Sequence, residues 1–228
     1  MGEPSHTGAL RIAIVGAEST GKSTLAVELA AALADATALP CAAVPEWLRT
    51  WCAREGRTPR PDEQAAIAAE QQRLIDAAAA RHAIVVCDTT PLMTAIYSRL
   101  LFDDRSLEPQ ALAWQRGAAL TLLTALDLPW VADGHQRDGP HVQGPVDATL
   151  RELLVGHGLA WALVGGQGPA RLQAALDAVA PLVRGLPTPG RGLFTRLQAR
   201  NAGAAARAWS CLECDDPDCE HQLRRAGG

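Results

Sequence analysis

The chain has 228 residues, a net charge of -4 and an apolar share of 48%. That length suits one α/β domain with an appendage, and the mild acidity gives no electrostatic reason to expect a nucleic-acid partner. No apolar run approaches the roughly 20 residues that span a bilayer, and the opening MGEPSHTGAL lacks the charged head and apolar middle of a signal peptide, so the reading is a cytoplasmic chain with residues 1–8 as a flexible lead-in.

LRIAIV, residues 10–15, predicts a buried strand, followed by a helix from about Lys22 to Ala34. CAAV at 41–44 is a short second strand. Helical patterning resumes at Asp62, expected as an N-cap after Pro61, and runs to about Arg81. AIVVC at 83–87 is a strand ending on Asp88, and Pro91 suits the first turn of the next helix. A helix is expected over 108–117. Residues 118–126 are a fourth strand candidate whose leucines fit a helix almost as well. Residues 129–145, rich in Pro, Gly, His and charge, read as a mobile loop. A helix over 147–157, a strand over 159–164 and a helix over 169–183 complete the pattern. Strands alternating with helices imply a parallel sheet covered on both faces, and such sheets bind ligands beyond the carboxyl ends of their strands. GLPTPGRG at 185–192 marks a boundary. The expected division is residues 9–184 as the main domain and 185–228 as linker, helix and tail. Cys41, Cys52 and Cys87 stand singly and are expected as small buried thiols.

Among 21 basic residues there is one lysine, Lys22, and it lies in GAESTGKST at 16–24. Gly16 to Ser23 fits G-x-x-x-x-G-K-[ST], the phosphate-binding P-loop. Gly16 and Gly21 permit the backbone angles that turn successive N–H groups of Ala17, Glu18, Ser19 and Thr20 toward an anion. The helix that follows, through Thr24, presents its positive end to the same phosphates. Lys22 supplies a compact ammonium for the β- and γ-phosphates, where a planar guanidinium is a poor substitute. Ser23 offers a hydroxyl to Mg²⁺. ATP with Mg²⁺ is therefore the expected cofactor pair.

Asp88, closing an apolar strand, is the expected carboxylate for Mg²⁺ or for the attacking nucleophile; a helix cap ahead of Pro91 is its alternative. In VPEWLRTW at 44–51, Glu46 and Arg49 are three apart and share a helical face. Trp47 and Trp51 are four apart and read as an aromatic wall. A carboxylate, a guanidinium and indoles together suit a nucleoside, and either Glu46 or Asp88 could take a hydroxyl proton. In the 129–145 loop, which contains Asp133-Gly-His-Gln-Arg137, Arg137 reads as the arginine of a closing loop that meets the transferred phosphoryl group; a plain solvated loop is its alternative. Gly168 and Arg171, after the last strand, read as nucleotide contacts.

GAESTGKSTLA, then E-W-x-R, then a strand ending in D-T, then D-G-x-x-R, together resemble the ribosylnicotinamide kinase domain of the NadR-type NAD-salvage regulators and the wider group of NadR-like P-loop ATPases. The resemblance covers roughly residues 9–184. It implies a P-loop NTPase fold and Mg²⁺-dependent transfer of the ATP γ-phosphate to nicotinamide riboside. By position it implies that Gly16–Thr24 hold the ATP phosphates, that Asp88 is the acid after the central strand, that Glu46 and Arg49 stand on the substrate side, and that Asp133 and Arg137 form the lid. Asp88-Thr89-Thr90 stands where the regulators have a motif closer to D-T-D.

The tail SCLECDDPDCEH at 210–221 places Cys211, Cys214, Cys219 and His221 within one short span, a ligand set suited to tetrahedral zinc. An arginine-bearing helix is expected before it, over 192–209. The expected partners are ATP and a small-molecule nucleoside, with no membrane. A regulatory ATPase signalling through its tail, or a nucleic-acid adaptor, are the alternative functions.

Overall fold

The structure, a computed structural model, describes residues 8–131 and 139–186. Asp133 and Arg137, the helix expected over 192–209 and the cluster Cys211, Cys214, Cys219 and His221 lie outside the described residues.

Five parallel strands form one sheet: β1 (Leu10–Val15), β2 (Cys41–Val44), β3 (Ile84–Asp88), β4 (Leu120–Thr124) and β5 (Trp161–Val164), in the order β2-β3-β1-β4-β5. Among the described residues, seven helices connect and cover them: α1 (Lys22–Thr37), α2 (Trp47–Glu55), α3 (Gln64–Ala79), α4 (Pro91–Phe102), α5 (Glu108–Gln115), α6 (Gln143–Gly156) and α7 (Pro169–Arg184). β1 is the central strand and β3 is buried along its whole length. Both are apolar and rich in Val and Ile, as a strand covered on two faces requires. One face packs Ile12, Ile14, Ile84, Val86 and Leu122 against Leu25 and Leu29 of α1 and Ala175 and Val179 of α7. The other packs Val15 and Leu123 against α4, α5 and α6.

That two-sided burial settles the ambiguity over residues 118–126. Leu122 and Leu123 enter opposite clusters and both are fully buried. Side chains that alternate between two apolar layers belong to a strand. Two expected boundaries shift. α3 is preceded by a 3-10 turn, Pro61–Glu63, so Asp62 lies within that turn and Glu63 holds the N-cap position of α3; the Glu63 carboxylate closes the 3-10 turn, its Oε2 accepting from the Arg60 N–H at 2.8 Å. The loop expected over 129–145 ends sooner, with a 3-10 turn at Pro140–Val142 and α6 opening at Gln143. Pro145 is compatible with that start because first-turn N–H groups have no partner inside the helix. Among the described residues, no helix is long and apolar enough to cross a membrane.

The register sets the site. Ile14 of β1 lies level with Asp88 of β3, and Val15 with Leu123 of β4. The turn that leaves β1 therefore emerges between Asp88 on one side and Thr124 on the other.

Candidate functional site

Gly16 (φ 153°) and Gly21 (φ 76°) carry the P-loop turn between β1 and α1. Gly16 is required by space as well as by angle. A Cβ there would stand 2.0 Å from Thr124 Oγ1. Thr20 Oγ1 lies 2.7 Å from the same hydroxyl and donates to the Ala17 carbonyl at 2.8 Å, so β4 braces the loop from beneath. Ser19 holds left-handed backbone at φ 60°, which costs a non-glycine residue on the order of 1 kcal/mol and persists where neighbours over-determine it. Its Oγ accepts from the Val131 N–H at 2.8 Å. Gln143 Nε2 donates to the Glu18 carbonyl at 2.7 Å. The chain on both sides of residues 132–138 is thus tied to the P-loop.

Ser19 to Thr24, with Arg49, enclose a space of about 210 Å³. This is the phosphate cradle. Lys22 Nζ donates to the Ala17 carbonyl at 2.8 Å, within the loop it would serve. Asp88 is 4% exposed, and its Oδ1 has no hydrogen-bond partner among the described residues. An orphaned buried carboxylate oxygen costs free energy. At the end of the strand that lies level with the end of β1, where the P-loop begins, it fits the oxygen ligand that a hard divalent cation takes. Ser23 and Asp88 are the residues here that suit Mg²⁺.

A second cavity of about 310 Å³ adjoins the cradle. Its polar wall includes Glu18, Lys22, Glu46, Arg49, Gln64 and Thr89; its apolar wall is Leu48, Met93, Tyr97, Leu101 and Phe102. The volume and mixed lining match small-molecule sites, about 300–1,000 Å³ with a few convergent polar groups. Glu46 sits at the N-cap of α2, and Arg49 Nη2 stands 3.9 Å from its Oε2. Buried Gln71 of α3 secures this start of α2: its Oε1 accepts the Trp47 N–H at 2.7 Å and its Nε2 donates to the Pro45 carbonyl. Cys52 is in the wall as a protonated thiol, its pKa raised by burial and then by the Glu46 carboxylate. Cys87, deep in β3, is pushed up to about 12 by burial.

Three sequence expectations take a different form. Trp47 and Trp51 are absent from the cavity lining; they carry Arg54 at 5.9 Å and Arg57 at 4.9 Å from their ring centroids. The aromatic wall is Tyr97 and Phe102, from α4. On α2, Glu46, Leu48, Arg49 and Cys52 take the inward positions, which turns the indoles away. Arg171 does not face the cradle. It is 4% exposed, and its guanidinium donates to the Thr20 carbonyl at 2.7 Å, to the Gly166 carbonyl at 2.8 Å and to Asp127. It fastens the P-loop to the turns after β4 and β5. Gly168 (φ 50°) is the N-cap of α7, and its carbonyl accepts the Leu172 N–H.

Gln64, Gln71, Tyr97 and Phe102 are the site residues that sequence reasoning missed. Gln64 and Gln71 had a signal. They are seven apart, on the α3 face that carries buried Ile67 and Ile75, and a polar residue on an apolar stripe needs a partner. Tyr97 and Phe102 had none, because helix periodicity does not separate a core aromatic from a cavity wall.

The sequence profile of the AAA domain family AAA_28 matches residues 11–171. Two solved structures with similar folds are described as NadR protein in complex with NR and NadR protein in complex with NAD and AMP-PNP. Each is 21% identical with a TM-score of 0.60 over 79% of this chain. The match takes in 52% and 51% of those chains, so this chain spans about half their length. At that identity the likeness establishes the fold alone. No curated protein sequence matches.

Proposed function

We propose, from the premise that this chain belongs to the AAA domain family AAA_28, that it is a P-loop kinase passing the γ-phosphate of ATP to a nucleoside hydroxyl. Nicotinamide riboside is the leading acceptor. The observation that carries the reading is the 310 Å³ cavity that shares Ser19, Lys22 and Arg49 with the phosphate cradle. Simple ATP hydrolysis needs no second ligand space at the γ-phosphate end; phosphoryl transfer to an organic acceptor does. The NadR structures named above, one with NR and one with AMP-PNP, support the choice of acceptor and donor.

In this mechanism the P-loop N–H groups and the N-terminus of α1 hold the phosphates. Lys22 moves from the Ala17 carbonyl to the β- and γ-phosphates. Ser23 and Asp88 would hold Mg²⁺, which when bound neutralises phosphate charge. Glu46 takes the proton from the acceptor hydroxyl. It is chosen over Asp88 because it lines the acceptor cavity and Asp88 does not. Thr58, Gln64 and Thr89 offer hydrogen bonds to a sugar, and Tyr97 and Phe102 offer faces for the base.

The test is product analysis with ATP, Mg²⁺ and a panel of nucleosides. The expected product is a nucleoside monophosphate, and Glu46→Gln should lower its kcat by about 10²–10⁴-fold, the range for a lost general base. ADP release that ignores every nucleoside counts against the kinase.

A further inference from the structure

Resting on the kinase reading, we propose that Arg49 is a catalytic residue that grips the transferred phosphoryl group, rather than an acceptor-binding residue. The geometry is a shared wall. Of the basic side chains among the described residues, Lys22 and Arg49 alone line either cavity, and each lines both. The phosphoryl group has to cross that boundary. Lys22 comes from the cradle side and travels with the P-loop. Arg49 comes from the opposite side, from the first turn of α2, whose start is pinned by Gln71. The two cations bracket the passage.

The chemistry follows from the partners. The acceptor oxygen attacks Pγ and a new O–P bond forms. The bond from Pγ to the β–γ bridging oxygen breaks, and its electron pair leaves with ADP. The acceptor proton goes to Glu46. In a loose transition state the charge lies on the equatorial and leaving oxygens, and a planar guanidinium meets two such oxygens at once. Arg49 stands 3.9 Å from the proposed base, so one helical turn presents the proton acceptor and the phosphoryl clamp together. The Arg49 side chain is 46% exposed, so it holds no core together and its removal leaves the fold intact.

The decisive experiment compares wild type, Arg49→Lys and Arg49→Ala with ATP and nicotinamide riboside. In Arg49→Ala, kcat should fall by about 10²–10³-fold, the scale of a lost transition-state charge contact. ATP and acceptor affinities measured by calorimetry should stay within about threefold, because the contact belongs to the transition state. Binding of ADP with aluminium fluoride, a planar phosphoryl mimic, should weaken in parallel with kcat. Added guanidinium should restore part of the rate, and Arg49→Lys, which keeps charge but loses the fork, should fall between. A raised acceptor KM at unchanged kcat overturns the assignment, as does unchanged binding of the fluoride complex. If the wild type phosphorylates no nucleoside, the kinase reading fails separately. Arg49 is then judged on ATP hydrolysis and the fluoride complex, where equal loss keeps the assignment and no loss removes it.

Discussion

The phosphate cradle and the acceptor cavity share a wall, yet they are built differently. The cradle is one unbroken stretch, Ser19–Thr24, joined among the described residues by a single residue from elsewhere, Arg49. The cavity takes residues from the P-loop, from α2 and the turn after it, from the start of α3, and from β3's exit through α4. The cradle works with backbone N–H groups, which every residue but proline supplies once glycines set the turn. The cavity works with side chains, whose meeting depends on how three helices pack. The cradle is also the better braced of the two: Thr124 fills the space beside Gly16, and Arg171 holds the Thr20 carbonyl. The acceptor side hangs on Gln71 at one end of α2 and on the bidentate Arg57–Glu63 pair, 2.6 and 2.7 Å, at the other.

Substitutions can break or sharpen that contrast. The largest effect is expected at Gly16→Ala, whose Cβ would stand 2.0 Å from Thr124 Oγ1. Calorimetry with ATP and Mg²⁺ should show no binding, and adding Thr124→Ala should recover some. Wild-type affinity in Gly16→Ala would show that the cradle is not tightly braced. Lys22→Ala comes next. It removes a charge-assisted contact worth about 2–3 kcal/mol, so ATP affinity should fall by about 100-fold. Arg171→Ala should lower unfolding stability by about 3 kcal/mol, since it strands a buried carbonyl and an ion-pair partner. It should also weaken ATP while leaving acceptor KM alone. Urea unfolding with an ATP titration reads both, and stability unchanged with ATP binding lost would return Arg171 to the nucleotide.

On the acceptor side, Tyr97→Leu should raise acceptor KM by about tenfold, the loss of one stacking face. Trp47→Leu should leave it unchanged, and the opposite pattern would restore the tryptophans as the wall. The smallest effect is expected at Glu63. Its carboxyl is held down to about 2, first by the Arg57 guanidinium and then by the Arg60 N–H. A depressed native pKa adds stability above the unfolded value near 4.5, and that stability is lost as pH falls toward about 2. Glu63→Gln should therefore flatten the acid limb of a stability-versus-pH curve over that window and leave neutral-pH ATP binding intact.

Much of the layout was legible in the residues. β1, β2 and β3 follow from short apolar runs that end in Gly, Pro or Asp, and the helices from alanine-rich stretches between them. The start of α6 was not, because its first turn is set partly by the Gln143 contact with the Glu18 carbonyl, which spans more than a hundred residues of chain. Glu46 and Arg49 could be placed on one face from their spacing. Which face the neighbouring indoles take could not, because both sides of α2 carry apolar residues and only α3 and α4 decide which side is covered. Arg171 was legible as a residue near the nucleotide loop. Its role as a brace appears only when β4, β5 and the P-loop stand side by side.

Taken alone, the amino-acid order determined the alternation of strands and helices, the anion cradle and the one ammonium within it, since these depend on neighbours a few residues apart. Tertiary structure decided that Thr124 closes the floor under Gly16, that Tyr97 and Phe102 replace the tryptophans, and that Arg49 stands where the two cavities meet. Those facts depend on side chains from distant segments reaching one place, and packing alone brings them there.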